Sequence, residues 1–157
     1  MEPIAKHIHN TLIKKRLTVA IAESCTAGLA CSLLAELSGS SKFLLLGVVA
    51  YSNIAKEKIL GVPAALISKN GAVSKKVAAR MAENIRQIAG ADVGIGITGI
   101  AGPTGGTKEK PVGTVCIAVA AKYKDICQTF AFKGSRSAIR RKSALKSLEL
   151  LNKLIGR

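Results

Sequence analysis

Apolar and polar positions along this chain follow two periods, and the switches between them lay out its elements. Residues 2–16 carry Ile4, Ile8 and Leu12 at helical spacing and end in Lys14-Lys15-Arg16, where cations suit a helix dipole. Thr18 to Ala22 reads as a short strand. Ser24 then opens a helix marked by Leu29, Leu33, Leu34 and Leu37, and Ser38-Gly39-Ser40-Ser41 forms a turn. Phe43 to Tyr51 is an almost continuous apolar run, the pattern of a strand covered on both faces. Ser52 or Asn53 caps a short helix reaching Leu60, closed by Gly61 and Pro63. Ser74 opens a helix with Val77, Met81, Ile85 and Ile88 on its inner face, and Asp92 to Thr98 is a further strand. Val112–Ala121 and Ile126–Phe132 pair as a hairpin around Tyr123-Lys124-Asp125. A last helix begins at Ser135 or Ser137 and runs to Leu154, with Ile139, Leu145, Leu148 and Leu151 turned inward. Strands interleaved with helices, then a hairpin, predict an α/β fold with a mixed sheet between helical layers.

The length of 157 residues suits one domain, residues 1–157, with no repeat or linker. Aromatic residues make up 3% with no Trp, so the core must be built from Leu, Ile, Val and Ala. A formal net charge of +15 raises nucleic acid, membrane surfaces and anionic small molecules as partners. The scarcity of aromatics argues against a stacking platform for single strands. The cysteines (Cys25, Cys31, Cys116, Cys127) form no C-x-x-C pair, and His7 and His9 both sit on the opening helix, which leaves no zinc-like spacing. No signal peptide and no run of eighteen apolar residues is seen, so a cytoplasmic, reduced protein without a membrane partner is expected.

Ser24, at the junction of strand and helix, is either an N-cap or a nucleophile whose neighbouring N–H groups stabilise an oxyanion. Serine hydrolases usually recruit histidine, but nothing ties His7 or His9 to Ser24, so a lysine base is the better choice. Lys56 is the best placed, one turn into the helix after the second strand. Neighbouring parallel strands would bring both helix starts to one sheet edge. Such a lysine must be neutral, and burial beside other cations could lower its pKa. Gly94-x-Gly96-x-x-Gly99 spells a dinucleotide fingerprint, yet its glycines fall within a strand. The loop Gly99–Thr107 lacks a Walker lysine. It reads instead as a ligand-approaching loop with Thr98, Thr104 and Thr107 as hydroxyl donors. Ser143-x-x-Lys146 spells a β-lactamase pair but lies mid-helix on a basic face.

Taken together, Ala22-Glu23-Ser24-Cys25-Thr26-Ala27-Gly28, Tyr51-Ser52-Asn53-x-x-Lys56, Gly71-Ala72-Val73-Ser74, Gly99-Ile100-Ala101-Gly102-Pro103-x-Gly105-Gly106 and Glu109–Val115 follow one another in an order that closely resembles the CinA C-terminal domain family. The resemblance covers nearly the whole chain. It implies a three-layer α/β/α sandwich around a mixed sheet, and deamidation of nicotinamide mononucleotide to nicotinate mononucleotide and ammonia, with no cofactor and no metal. It matches Ser24 to the nucleophile, Lys56 to its activating base and Tyr51 to a tyrosine of the same site. Thr26, Thr98, Gly102, Gly105, Gly106 and an arginine of the last helix, Arg140 in preference to Arg141, match substrate-binding positions. Ala27 stands where many members have glycine. The expected partners are a small-molecule nucleotide and further copies of the chain in a homo-oligomer. The alternative is a catalytically weak member whose basic helix, with Arg136, Arg140, Arg141, Lys142 and Lys146, holds nucleic acid or an acidic protein.

Overall fold

The computed structural model describes residues 2–156. The chain runs α1 (Pro3–Lys15), β1 (Val19–Glu23), α2 (Leu29–Ala35), β2 (Leu44–Val49), α3 (Asn53–Lys58), α4 (Ala64–Asn70), α5 (Lys75–Ala89), β3 (Val93–Gly99), β4 (Thr114–Ala121), β5 (Asp125–Ala131) and α6 (Arg136–Ile155), with a 3-10 turn at Ser40–Lys42. The five strands form one sheet in the order β2-β1-β3-β4-β5. β1 pairs in parallel with β2 and β3, whereas β3-β4-β5 is antiparallel, so the expected mixed α/β sheet is present. Its C-terminal edge at β1 and β2 gathers the chain after Glu23 and after Val49, as two adjacent parallel strands require.

The alternation of side chains across the pleat gives each face its own helices. Val19, Ile21, Ile95, Ile97, Val115 and Ile117 pack with α1, α2 and α6. The opposite face carries Ala20 and Ala22 beneath Val77, Met81 and Ile85, and Cys116, Ala118 and Ala120 beneath Ala78 and Ala82 of α5. Small residues on that face let α5 come very close. A Cβ at Gly94 would stand 2.0 Å from the Ala82 carbonyl oxygen, and one at Gly96 2.3 Å from that of Ala78. The G-x-G letters in β3 therefore serve helix-on-sheet contact, not a dinucleotide.

Three expectations need correction. The apolar run at 43–51 is an edge strand, not a strand covered on both faces: β2 pairs only with β1, and Leu45 and Val49 are exposed. Ile88 is exposed and lies outside the inner face of α5. The helix expected to start at Ser24 starts at Leu29, and α4 is an element that the apolar spacing did not announce.

Candidate active site

The delay of α2 has a physical cause in Glu23. This wholly buried residue ends β1, and its carboxylate accepts from the N–H groups of Gly28, Ala30 and Cys31. The unpaired donors of the helix start, and its positive dipole end, are taken up by a carboxylate. They are not free for an oxyanion, contrary to what a helix opening at Ser24 would provide. Residues 24–27 form a separate turn, with the Ala27 N–H donating to the Ser24 carbonyl and the Leu29 N–H to that of Thr26. Ala27 adopts φ 49°, a left-handed conformation that costs an alanine more than a glycine, yet the turn is intact.

Lys56 comes from α3, whose N-cap is Ser52, accepting from the Ala55 N–H. It is 2% exposed, and its Nζ lies 3.1 Å from Ser24 Oγ, 3.1 Å from the Ala50 carbonyl oxygen and 3.2 Å from that of Tyr51. A neutral amine has two N–H groups and one lone pair. In that form the two carbonyls take the donors and the lone pair is left for the Ser24 hydroxyl, whereas the ammonium donates to all three oxygens. Burial pushes Lys56 below the ordinary lysine value, and the neighbouring Cys25 works weakly the other way. Burial, one half of what the sequence suggested, lowers the value, and the other half, neighbouring cations, is not among its causes.

Ser24 and Lys56 line a cleft of about 160 Å³ with Cys25, Tyr51, Thr98 and Arg136. Cys25 is the other nucleophile within it, but burial raises its thiol to about 11, so it stays protonated and weakly nucleophilic at neutral pH. Thr98 is buried and donates to the Ala72 carbonyl. Tyr51 is exposed at the mouth.

The arginine at the cleft is Arg136, not Arg140 or Arg141. Its guanidinium donates to the Gly102 carbonyl at 2.8 Å and to the Tyr51 hydroxyl at 3.0 Å, so it spans the two rims. Ser135 caps α6, which sets Arg136 in the first turn of a helix whose start faces the site. Its place directly after a capping serine was the available signal. Arg140, one turn on, donates to the Cys25 and Thr26 carbonyls from behind the turn, and Arg141 pairs with Glu2. Lys142 donates to the Lys133 carbonyl and Lys146 pairs with Glu149. Every cation of the expected basic face therefore has an intramolecular partner.

Of the other expected substrate contacts, Thr26 is wholly buried, with a hydroxyl lacking a partner among the described residues, and it does not line the cleft. Gly102 enters only through its carbonyl, and Gly105 and Gly106 lie on the exposed part of the loop, away from the cleft lining. His7 is exposed. His9 packs edge-on against Phe43 on α1 and takes no part in the site. Ser143 is buried and donates to the Ile139 carbonyl, four residues back in the same helix.

The family model described as the CinA C-terminal domain matches residues 1–155. A CinA-like protein of Anaeromyxobacter dehalogenans is 54% identical over 133 residues, covering 85% of this chain and 33% of its own length. Another, of Desulfotalea psychrophila, is 47% identical over 154 residues, covering 98% and 37%. The chain thus spans about a third of the length of these curated relatives. Among solved structures, the competence/damage inducible protein CihA of Agrobacterium tumefaciens superposes with a TM-score of 0.94 at 35% identity, covering 98% of this chain and 94% of that one. A CinA superfamily protein of Escherichia coli superposes with a TM-score of 0.93, also at 35% identity, covering 98% and 89%.

Proposed function

The chain belongs to the CinA C-terminal domain family, and we propose that it is an amidohydrolase that deamidates nicotinamide mononucleotide through Ser24, activated by Lys56. The observation that carries this reading is the wholly buried amine held 3.1 Å from a serine hydroxyl, with its two other contacts both carbonyls.

An amide substrate needs a nucleophile, a proton carrier and a site for the developing oxyanion. Ser24 Oγ attacks the carboxamide carbon while its proton passes to the lone pair of Lys56 Nζ. The carbonyl oxygen becomes an oxyanion beside the turn, where the N–H groups of Cys25 and Thr26 donate to no carbonyl or carboxylate among the described residues. Of the two residues, Cys25 lines the cleft. The Lys56 ammonium returns its proton to the departing nitrogen, which leaves as ammonia. Water, giving a proton to the same amine, then attacks the acyl ester; the carboxylic product leaves and the Lys56 ammonium returns that proton to Ser24 Oγ. Burial suits both roles, because it favours the neutral amine and makes the transient ammonium more acidic than an ordinary lysine.

A cleft of about 160 Å³ suits the carboxamide end of a substrate, smaller than the several hundred Å³ of a whole drug-sized site. The rest of a mononucleotide would lie across the mouth, within reach of the Arg136 guanidinium, a fork suited to a phosphate. Release of ammonia from nicotinamide mononucleotide by the purified chain is the test. Ser24→Ala is expected to lower turnover at least about 10³-fold, in line with loss of an activated nucleophile. A serine variant within tenfold of the parent would end the mechanism.

A further inference from the structure

Arg140 does not line the cleft, yet it holds the back of the turn that carries Ser24 through two hydrogen bonds. Its Nε donates to the Cys25 carbonyl at 3.1 Å and its Nη2 to the Thr26 carbonyl at 2.9 Å. Both carbonyls belong to the turn that follows the nucleophile. We propose that Arg140 is a positioning residue for the reaction, fixing that turn so that the Cys25 N–H stands as the oxyanion donor. The inference rests on the reading of Ser24 as nucleophile.

The grip of Arg140 is transmitted through successive peptide planes. In a trans peptide the C=O and the next N–H point in opposite directions, so holding one aims the other. Arg140 holds the Thr26 carbonyl and with it the 26–27 plane, whose Ala27 N–H donates to the Ser24 carbonyl. That bond fixes the 24–25 plane, and with it the direction of the Cys25 N–H, on a residue that lines the cleft. The second grip, on the Cys25 carbonyl, fixes the 25–26 plane between them. The Glu23 carboxylate secures the 27–28 plane through the Gly28 N–H. Arg140 arrives from the helical layer of α1, α2 and α6, whereas Lys56 arrives from α3, which follows β2 and packs beside α4. The guanidinium and the base thus hold the turn from different sides. One planar fork reaches two carbonyls, which a lysine ammonium, a point charge without a fixed fork, reproduces poorly.

The test uses the whole chain and an alkyl fluorophosphonate. This probe reports the serine and its oxyanion site without reference to any natural substrate. Ser24 Oγ forms the bond to phosphorus, fluoride leaves, and the serine proton passes to Lys56. Labelling at Ser24 is followed over time by mass spectrometry in the parent, Arg140→Ala and Arg140→Lys. A misaimed donor is expected to slow labelling about ten- to a hundredfold, less than outright removal of such a donor. Labelling should still reach full stoichiometry, with an unchanged pH midpoint because Lys56 is untouched, and with partial recovery in Arg140→Lys. Unchanged labelling in Arg140→Ala would overturn the proposal. So would a reduced labelled fraction at an unchanged rate constant, which marks a purely structural role. A parent labelled at Ser24 that fails to deamidate nicotinamide mononucleotide would sink the substrate reading and leave Arg140 judged on labelling alone. A parent that resists labelling would overturn both.

Discussion

Removing the amine at position 56 is the sharpest perturbation of this site. Lys56→Met keeps the length of the side chain and its burial but abolishes the lone pair that faces Ser24 at 3.1 Å. General-base assistance contributes about 10²–10⁴-fold. In the proposed mechanism the same amine serves in serine attack and ammonia departure, so a loss of at least about 10³-fold in turnover is expected. That is ~4 kcal/mol of transition-state stabilisation at about 1.36 kcal/mol per tenfold. Lys56→Arg separates the base from its hydrogen bonds: a guanidinium still donates to the Ala50 and Tyr51 carbonyls but stays charged and cannot take the serine proton. It should be as inactive as the methionine variant. Ammonia release measured from pH 6 to 10 supplies the second half of the test. The working form is the neutral amine, so parental kcat/KM should rise with pH through one ionisation below the ordinary lysine value and then level off. Stability has the same sign. Between the depressed folded value and the ordinary one the unfolded chain binds more protons, so stability rises with pH there, and Lys56→Met removes that slope. An arginine variant within tenfold of the parent, or a methionine variant that keeps the parental pH profile, would refute the assignment of Lys56 as base.

Two further substitutions probe the rim and the turn. Arg136→Ala should raise KM for nicotinamide mononucleotide about tenfold or more while moving kcat little, because on the proposed reading the guanidinium at the mouth holds the anionic end and not the reacting atoms. Steady-state kinetics beside nicotinamide riboside, which lacks the phosphate, should show no such loss for the riboside. Ala27→Gly relieves a left-handed alanine on an exposed position at the cost of a freer unfolded chain, for a net gain of about 0.5 kcal/mol. A urea midpoint lower than the parent's would show that the turn is not strained.

What was legible in the sequence and what was not divide along a physical line. Periodicity and capping are local, so Ser74 marked its helix start, Ser52 and Ser135 were each one of two candidates for theirs, and the hairpin β4–β5 followed from its turn. The pairing of Ser24 with Lys56 was also within reach, because two parallel neighbouring strands must deliver their following segments to one edge. Neighbourhood in the sheet is not local. A run as apolar as Leu44–Val49 reads the same in the middle of a sheet or at its margin, and only strand order decides. The arginine was missed for a related reason. Arg136, Arg140 and Arg141 are equivalent as letters on one basic helix, and what separates them is rotation about the axis and distance from its start. Arg136 reaches over the mouth, Arg140 a turn later reaches the back of the Ser24 turn, and Arg141, next along, swings round to Glu2, the residue before α1. Glu23 makes the same point from the other direction. A buried acid beside a serine invites a catalytic reading, yet three N–H donors absorb its charge as a helix cap. Chemistry at this edge therefore depends on which polar groups the fold has already consumed. On that test the amine of Lys56 and the hydroxyl of Ser24 face each other in the cleft, while the buried acid beside them is already spent.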